Sequence, residues 1–209
     1  MIWGEPTRAA NFQPLTPARP GARLNASQRT GPHVYAQMLD AAYGALKQLD
    51  PTNVVIGGCT FTTGDIDTEQ WIENLRLPNG RPPRMDLYAH NPFGPVKPDF
   101  SGPASPPGSV RFTDLPRLAR WLDRYLHRGL RIFISEWTIP TAPDREFLYW
   151  VDPPVAAQWI TAGLRITRAW RRMYGLGWVN FYDNPPLSYG GLIKANGHRK
   201  PLFYAFERG

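Results

Sequence analysis

The chain has 209 residues, 42% apolar and 20% charged, a globular balance that excludes a mainly disordered protein. No run approaches the ~20 apolar residues needed to cross a bilayer, and the single cysteine, Cys59, excludes an internal disulfide and a cysteine zinc cluster. The net charge of +7 is almost all arginine and scattered; Arg117, Arg120, Arg124 and Arg128 share a predicted helix with Asp114 and Asp123, and no nucleic-acid-binding module is present.

Short β-rich runs alternate with amphipathic helical runs. Residues 1–5 predict a short strand ending at Glu5, followed by a proline-rich loop over 6–32. Tyr35, Met38, Leu39, Ala42, Leu46 and Leu49 recur at helical spacing, and Asp50-Pro51 stops that helix. Residues 53–59 read as a buried strand, 68–77 as a weaker helix and 85–90 as a second buried strand. After a long loop over 91–112, Leu115, Leu118, Ala119, Leu122 and Leu126 make a second apolar stripe that ends at Gly129. A strand at 131–136 leads into a loop over 137–154. Val155, Trp159, Ala162, Ile166, Trp170 and Met173 then mark a third helix, 177–182 a strand and 199–207 the last helix. This β-loop-α repetition predicts parallel strands joined by right-handed crossovers. The long loops follow the carboxyl ends of strands, where α/β folds place their sites.

Each informative strand ends in a polar residue: Glu5 after Ile2-Trp3-Gly4, His90 after Tyr88, Glu136 after Ile134-Ser135, and Asp183 after Phe181-Tyr182. A carboxylate finishing an apolar strand is costly to desolvate unless it is paired or used. Two carboxyl groups facing across a pocket suit glycosidic-bond hydrolysis, one donating a proton and the other attacking the anomeric carbon or activating water. Nearby rings, Trp3, Trp137, Trp178 and Tyr182, suit the C–H faces of sugars, although core packing is the commoner use of any one of them.

Four runs carry a specific resemblance. Ile2-Trp3-Gly4-Glu5-Pro6 resembles the fourth-strand motif of the clan A glycoside hydrolases, commonly Asn-Glu-Pro. Asp86-Leu87-Tyr88-Ala89-His90-Asn91-Pro92-Phe93 is similar to their sixth-strand histidine motif, and Ile132-Phe133-Ile134-Ser135-Glu136-Trp137 to their seventh. Trp178 through Asp183, with Gly191-Leu192-Ile193 and Gly197-His198-Arg199-Lys200-Pro201, resembles their eighth-strand ending. The set looks most like the cellulase-like and family 39-like branches.

The resemblance implies a retaining glycosidase on a (β/α)₈ barrel. A complete barrel is typically ~250 residues, so residues 1–209 are expected to form a single domain, the carboxyl-terminal five-eighths of a barrel. It would hold five parallel strands, four to eight, with helices outside and strands one to three missing. By motif, Glu5 matches the acid/base and Glu136 the nucleophile. Tyr88, His90 and Asn91, with the four rings named above, are the expected sugar-binding residues, and Tyr88 and His90 the expected hydrogen-bond partners of Glu136. Gly4 stands where the family commonly has Asn, and Phe93 where it often has Tyr.

The expected partner is an oligo- or polysaccharide, with β-linked sugars as substrate and no nucleic acid or membrane. No histidine pair has metal spacing, so no metal or cofactor is expected. The rival from another class is a catalytically inactive carbohydrate-binding protein on the same fold; Gly4 favours it, and retention of Glu5 and Glu136 opposes it. A nucleotide-binding reading lacks both the Gly-x-Gly-x-x-Gly and the Walker-type loop.

Overall fold

A computed structural model describes residues 17–143 and 145–209. The expected strand at residues 1–5, with Trp3 and Glu5, lies outside the described residues. Within them the order is α1 (Ala26–Leu49), β1 (Ile56–Phe61), α2 (Thr68–Glu73), β2 (Leu87–Asn91), a 3₁₀ turn (Phe112–Asp114), α3 (Leu115–Tyr125), β3 (Arg131–Trp137), α4 (Pro153–Ala169), β4 (Met173–Trp178) and α5 (Pro201–Arg208). The four strands form one open sheet in sequence order, every neighbouring pair parallel.

Several boundaries differ from expectation: β1 lies two to three residues beyond the expected 53–59 and α2 stops at Glu73 rather than 77. Helix α1 begins nine residues before Tyr35 because Asn25 and Gln28 form a capping box, each side chain accepting the other's backbone N–H. Gly31-Pro32, a breaker in sequence terms, is carried inside this helix and buried. Strand β4 starts at Met173 rather than 177, since α4 already ends at Ala169.

The sheet has two unlike faces. Val55, Tyr88, Ile132, Ile134 and Met173 point into a core closed by Ile72 and Leu75 from the α2 region, Leu115, Leu118 and Leu122 of α3, Ile160 of α4 and Leu202 of α5. Helix α3 presents its predicted stripe. Helix α1 does not: its buried row is Pro32, Ala36 and Leu39, four and three residues apart, while Met38, Leu46 and Leu49 stay exposed. In α4 the buried residues are Ala156, Ile160 and Gly163, and Val155 is exposed.

The second face carries Ile56, Leu87, Ala89, Arg131, Phe133 and Tyr174, alternating with the core set. The Phe133 and Tyr174 rings meet edge to face, centroids 6.2 Å apart, under the Arg131 guanidinium. Ile56 and Tyr174 remain 39% and 47% exposed. In a closed barrel this face would be the interior.

Since Leu122 is fully buried at the centre of the helical layer, Leu122→Ala should destabilise the protein by about 2–5 kcal/mol. Urea unfolding measures this, and a loss below about 0.5 kcal/mol would contradict the packing described.

Candidate functional site

The site is built on two irregularities at the carboxyl ends of the strands. In β3, Ile134 pairs with Leu176 and Trp137 with Trp178, so Ser135 and Glu136 together oppose only Gly177. This is a β-bulge, which re-aims side chains where strict alternation would not. Without it Glu136 would share a face with Ile134. With it, Ile134 and Trp137 both turn to the helices and Glu136 is left half-buried at the strand end. Gly177 permits the bulge: a Cβ there would sit 2.8 Å from the Ser135 carbonyl oxygen. In β1 the register slips between Gly58 and Thr60, and the extra residue, Cys59, has a left-handed φ of 62° with its side chain exposed.

Asn91 joins the two irregularities. It is fully buried, and its Oδ1 accepts from Ser135 Oγ at 2.6 Å and from the Glu136 backbone N–H at 3.1 Å. The Glu136 backbone N–H can only donate, so it fixes the amide orientation with Oδ1 towards β3, and the Ser135 hydroxyl donates to that same oxygen. Nδ2 then points to Cys59 Sγ at 3.9 Å, and Cys59 Sγ lies 3.7 Å from Ser135 Oγ. The Glu136 carboxyl is pushed above the ordinary carboxylate range by burial first and by repulsion from Glu146 in the following loop second.

Tyr88 and His90 were expected to hold Glu136, but they point to the other face and serve a separate network. His90 Nε2 lies 2.9 Å from the Val110 carbonyl oxygen, which can only accept, so Nε2 carries the proton. Nδ1 therefore accepts from Thr60 Oγ1 at 2.8 Å, and Tyr88 Oη lies 3.2 Å from that same hydroxyl. Burial lowers the His90 pKa to about 4, against smaller opposing effects of the Val110 carbonyl and Asp114. The imidazole is neutral at pH 7 and ties β1, β2 and the loop before α3 together.

The two tryptophans lie in the helical layer. Trp137 is buried, 5.1 Å from Phe112 and 5.6 Å from Trp178 by ring centroids. Helix α4 approaches it through Gly163, where a Cβ would stand 3.0 Å from the ring. Trp178 donates Nε1–H to the Gly190 carbonyl at 3.0 Å and packs on Phe206. Among the expected rings in the described residues, only Tyr182 is exposed, at 56%, stacked edge-on to Phe181.

The eighth-strand run has a structural explanation. Lys200 is buried with its Nζ donating to Asp183 Oδ1 at 2.7 Å, Thr141 Oγ1 at 2.8 Å and the Tyr189 carbonyl at 2.9 Å. Burial lowers its pKa although Asp183 opposes this. Asp183 Oδ1 also accepts the Gly191 N–H at 2.9 Å, and a Cβ on Gly191 would collide with the Tyr182 backbone. The cluster clamps the loop after β4 to the loop after β3. Sequence reasoning did not single out Thr60, Ser135, Glu146 or this role of Lys200. The Gly191 and Lys200 motif is a usable signal for the clamp, and Gly177 within a strand is a weak one for the β3 bulge; nothing local marks Thr60.

No protein-family model matches the chain, and no curated protein matches it. Solved structures do. A GH39 β-xylosidase from Caulobacter crescentus aligns with TM-score 0.55 at 18% identity, covering 83% of this chain and 36% of that one. The GH39 enzyme from Xanthomonas axonopodis pv. citri gives 0.56 at 17%, covering 83% and 35%. A GH2 β-galacturonidase from Eisenbergiella tayi gives 0.54 at 12%, covering 88% and 30%. The described residues have the fold of part of a glycoside hydrolase barrel. The chain spans about a third of the length of each of these proteins. In that setting the carboxyl ends of the strands are the face on which barrel enzymes build their sites, and Glu136 and Asn91 stand there.

A histidine with a depressed folded pKa stabilises above its ordinary value of 6.5, and this contribution is lost as pH falls towards 4. The urea midpoint should therefore drop across that window, and drop less in His90→Gln. Equal drops in both proteins would contradict a neutral, buried His90.

Proposed function

We propose that this chain is the carboxyl-terminal portion, strands four to eight, of a retaining clan A glycoside hydrolase acting on a β-linked saccharide, with residues 1–209 as one domain. Glu136 is the nucleophile and Glu5 the acid/base. The observation that carries this reading is the Glu136 carboxyl on a bulge at the carboxyl end of β3, half-buried, in a fold shared with glycoside hydrolases. Glu136 attacks the anomeric carbon while Glu5 protonates the departing oxygen; Glu5 then takes a proton from the water that releases the sugar. Such a pair works at ~5–5.5 Å between carboxyl groups. Tyr182, the exposed ring beyond β4, is the sugar platform. The GH39 likeness makes β-xylosides the first substrates to try.

The elevated Glu136 pKa carries a sign. A nucleophile must be ionised, so the acid limb of kcat/KM lies above the ordinary carboxylate range. Removing the Glu146 charge should move that limb to lower pH.

The test is hydrolysis of a panel of aryl β-glycosides by the protein. Glu136→Gln should lower kcat by ~10³-fold or more. Glu5→Ala should cripple substrates with poor leaving groups far more than activated ones, which need little protonation. Glu146→Gln should shift the acid limb down with kcat kept. Sugar binding with no turnover on any substrate would replace this reading with the carbohydrate-binding one.

A further inference from the structure

We propose that Asn91 is a positioning residue for Glu136: its side-chain carbonyl, by holding the Glu136 backbone N–H and the Ser135 hydroxyl, maintains the β3 bulge that keeps the Glu136 carboxyl out of the core. The extra residue of a bulge loses its place in the ladder. Here Asn91 Oδ1, at 3.1 Å, takes the Glu136 amide instead. The same oxygen, at 2.6 Å from Ser135 Oγ, secures the other bulge residue. Asn91 belongs to the last pair of the β1–β2 ladder, opposite Phe61, so it brings the register of two strands to bear on the third. It is fully buried and its acceptor is already shared by two donors, which removes it from the sugar-binding role first expected of it.

Two features make the arrangement discriminating. Gly177 opposite the bulge provides room for it but no force that selects it. Without the bulge, alternation would exchange the places of Glu136 and Trp137, burying a carboxylate and exposing an indole now packed on Phe112 and Trp178. Asn91 supplies the directional contact that decides between the two registers. Its consequence for catalysis rests on the reading of Glu136 as nucleophile; the positioning itself does not.

The experiment follows the Glu136 amide by hydrogen exchange and the Glu136 side-chain carboxyl by carbon-detected NMR titration, in the wild type, Asn91→Ala and Asn91→Asp. Neither measurement reads turnover, so a failure of the glycosidase reading leaves it intact. Asn91→Ala should speed exchange of the Glu136 amide about tenfold or more while Ile132 and Ile134 keep their protection. It should also move the Glu136 titration further up, because loss of the bulge turns the carboxyl towards the core. Asn91→Asp retains the acceptor oxygen, so it should restore amide protection, and its added carboxyl should raise the Glu136 titration above wild type when ionised beside it. An unchanged Glu136 amide and titration in Asn91→Ala overturns the proposal. If Asn91→Ala fails to fold, Asn91→Asp decides: loss of Glu136 amide protection there, with Ile134 still protected, overturns it, and retained protection with a raised titration supports it.

Discussion

One side-chain carbonyl organises the strand ends. Asn91 Oδ1 accepts from both residues of the β3 bulge, and the three strands β1, β2 and β3 are thereby joined where their carboxyl ends meet. The physical constraint behind this is the period of two along a strand. An apolar strand that buries Ile132 and Ile134 would bury residue 136 as well, and a carboxylate there would be desolvated without a partner. Inserting one residue lets the chain end with Trp137 in the core and Glu136 half-buried at the rim. A buried acceptor is then required for the displaced amide, and Asn91 is that acceptor.

The surroundings fit this arrangement on both sides. On the helical side, Gly163 lets α4 come close to the Trp137 ring, so the indole that the bulge turns inward has a place to go. On the strand side, Gly177 leaves room for the Ser135 carbonyl. Beyond β4, the Lys200–Asp183 pair fixes the loop carrying Tyr182 to the segment after β3 through Thr141. Both charges are almost fully buried, yet every Lys200 proton has an acceptor, which is the condition under which a buried ion pair is tolerated. The His90–Thr60–Tyr88 network does a related task on the opposite face of β1 and β2 with neutral groups. Among the described residues, the polar groups at the strand ends thus divide into those that shape the backbone and one carboxyl, Glu136, whose own environment raises its pKa.

Much of the architecture could be read from the sequence because it rests on patterns that survive in one dimension. The stripe Leu115, Leu118, Ala119 and Leu122 faces the core as its spacing indicates, and the strands run parallel in chain order as the alternation of β and α runs implies. The failures have physical causes. Gly31-Pro32 looked like a loop because the Asn25 capping box that starts α1 lies upstream of it. The aromatic residues at the strand ends suggest sugar platforms by their nearness in sequence to the carboxylates; the bulge turns Trp137 into the core, and Trp178 packs beside it in the helical layer. Tyr88 and His90 do point the same way as each other, but to Thr60 rather than to Glu136. The β3 bulge leaves only an indirect mark in the sequence, Gly177 opposite it, and nothing there points to Asn91, whose role follows from the three-dimensional arrangement.

We propose that the bulge presents Glu136 as the carboxylate that attacks sugar. The most direct test is covalent trapping with a 2-deoxy-2-fluoro β-glycosyl fluoride, which is activated by its leaving group and slow to release from a carboxylate. After incubation, the protein is digested and the labelled peptide located by mass spectrometry. The account predicts one sugar per chain, esterified to Glu136. A sugar on any other carboxylate, or turnover of the reagent with no trapped ester, would contradict it.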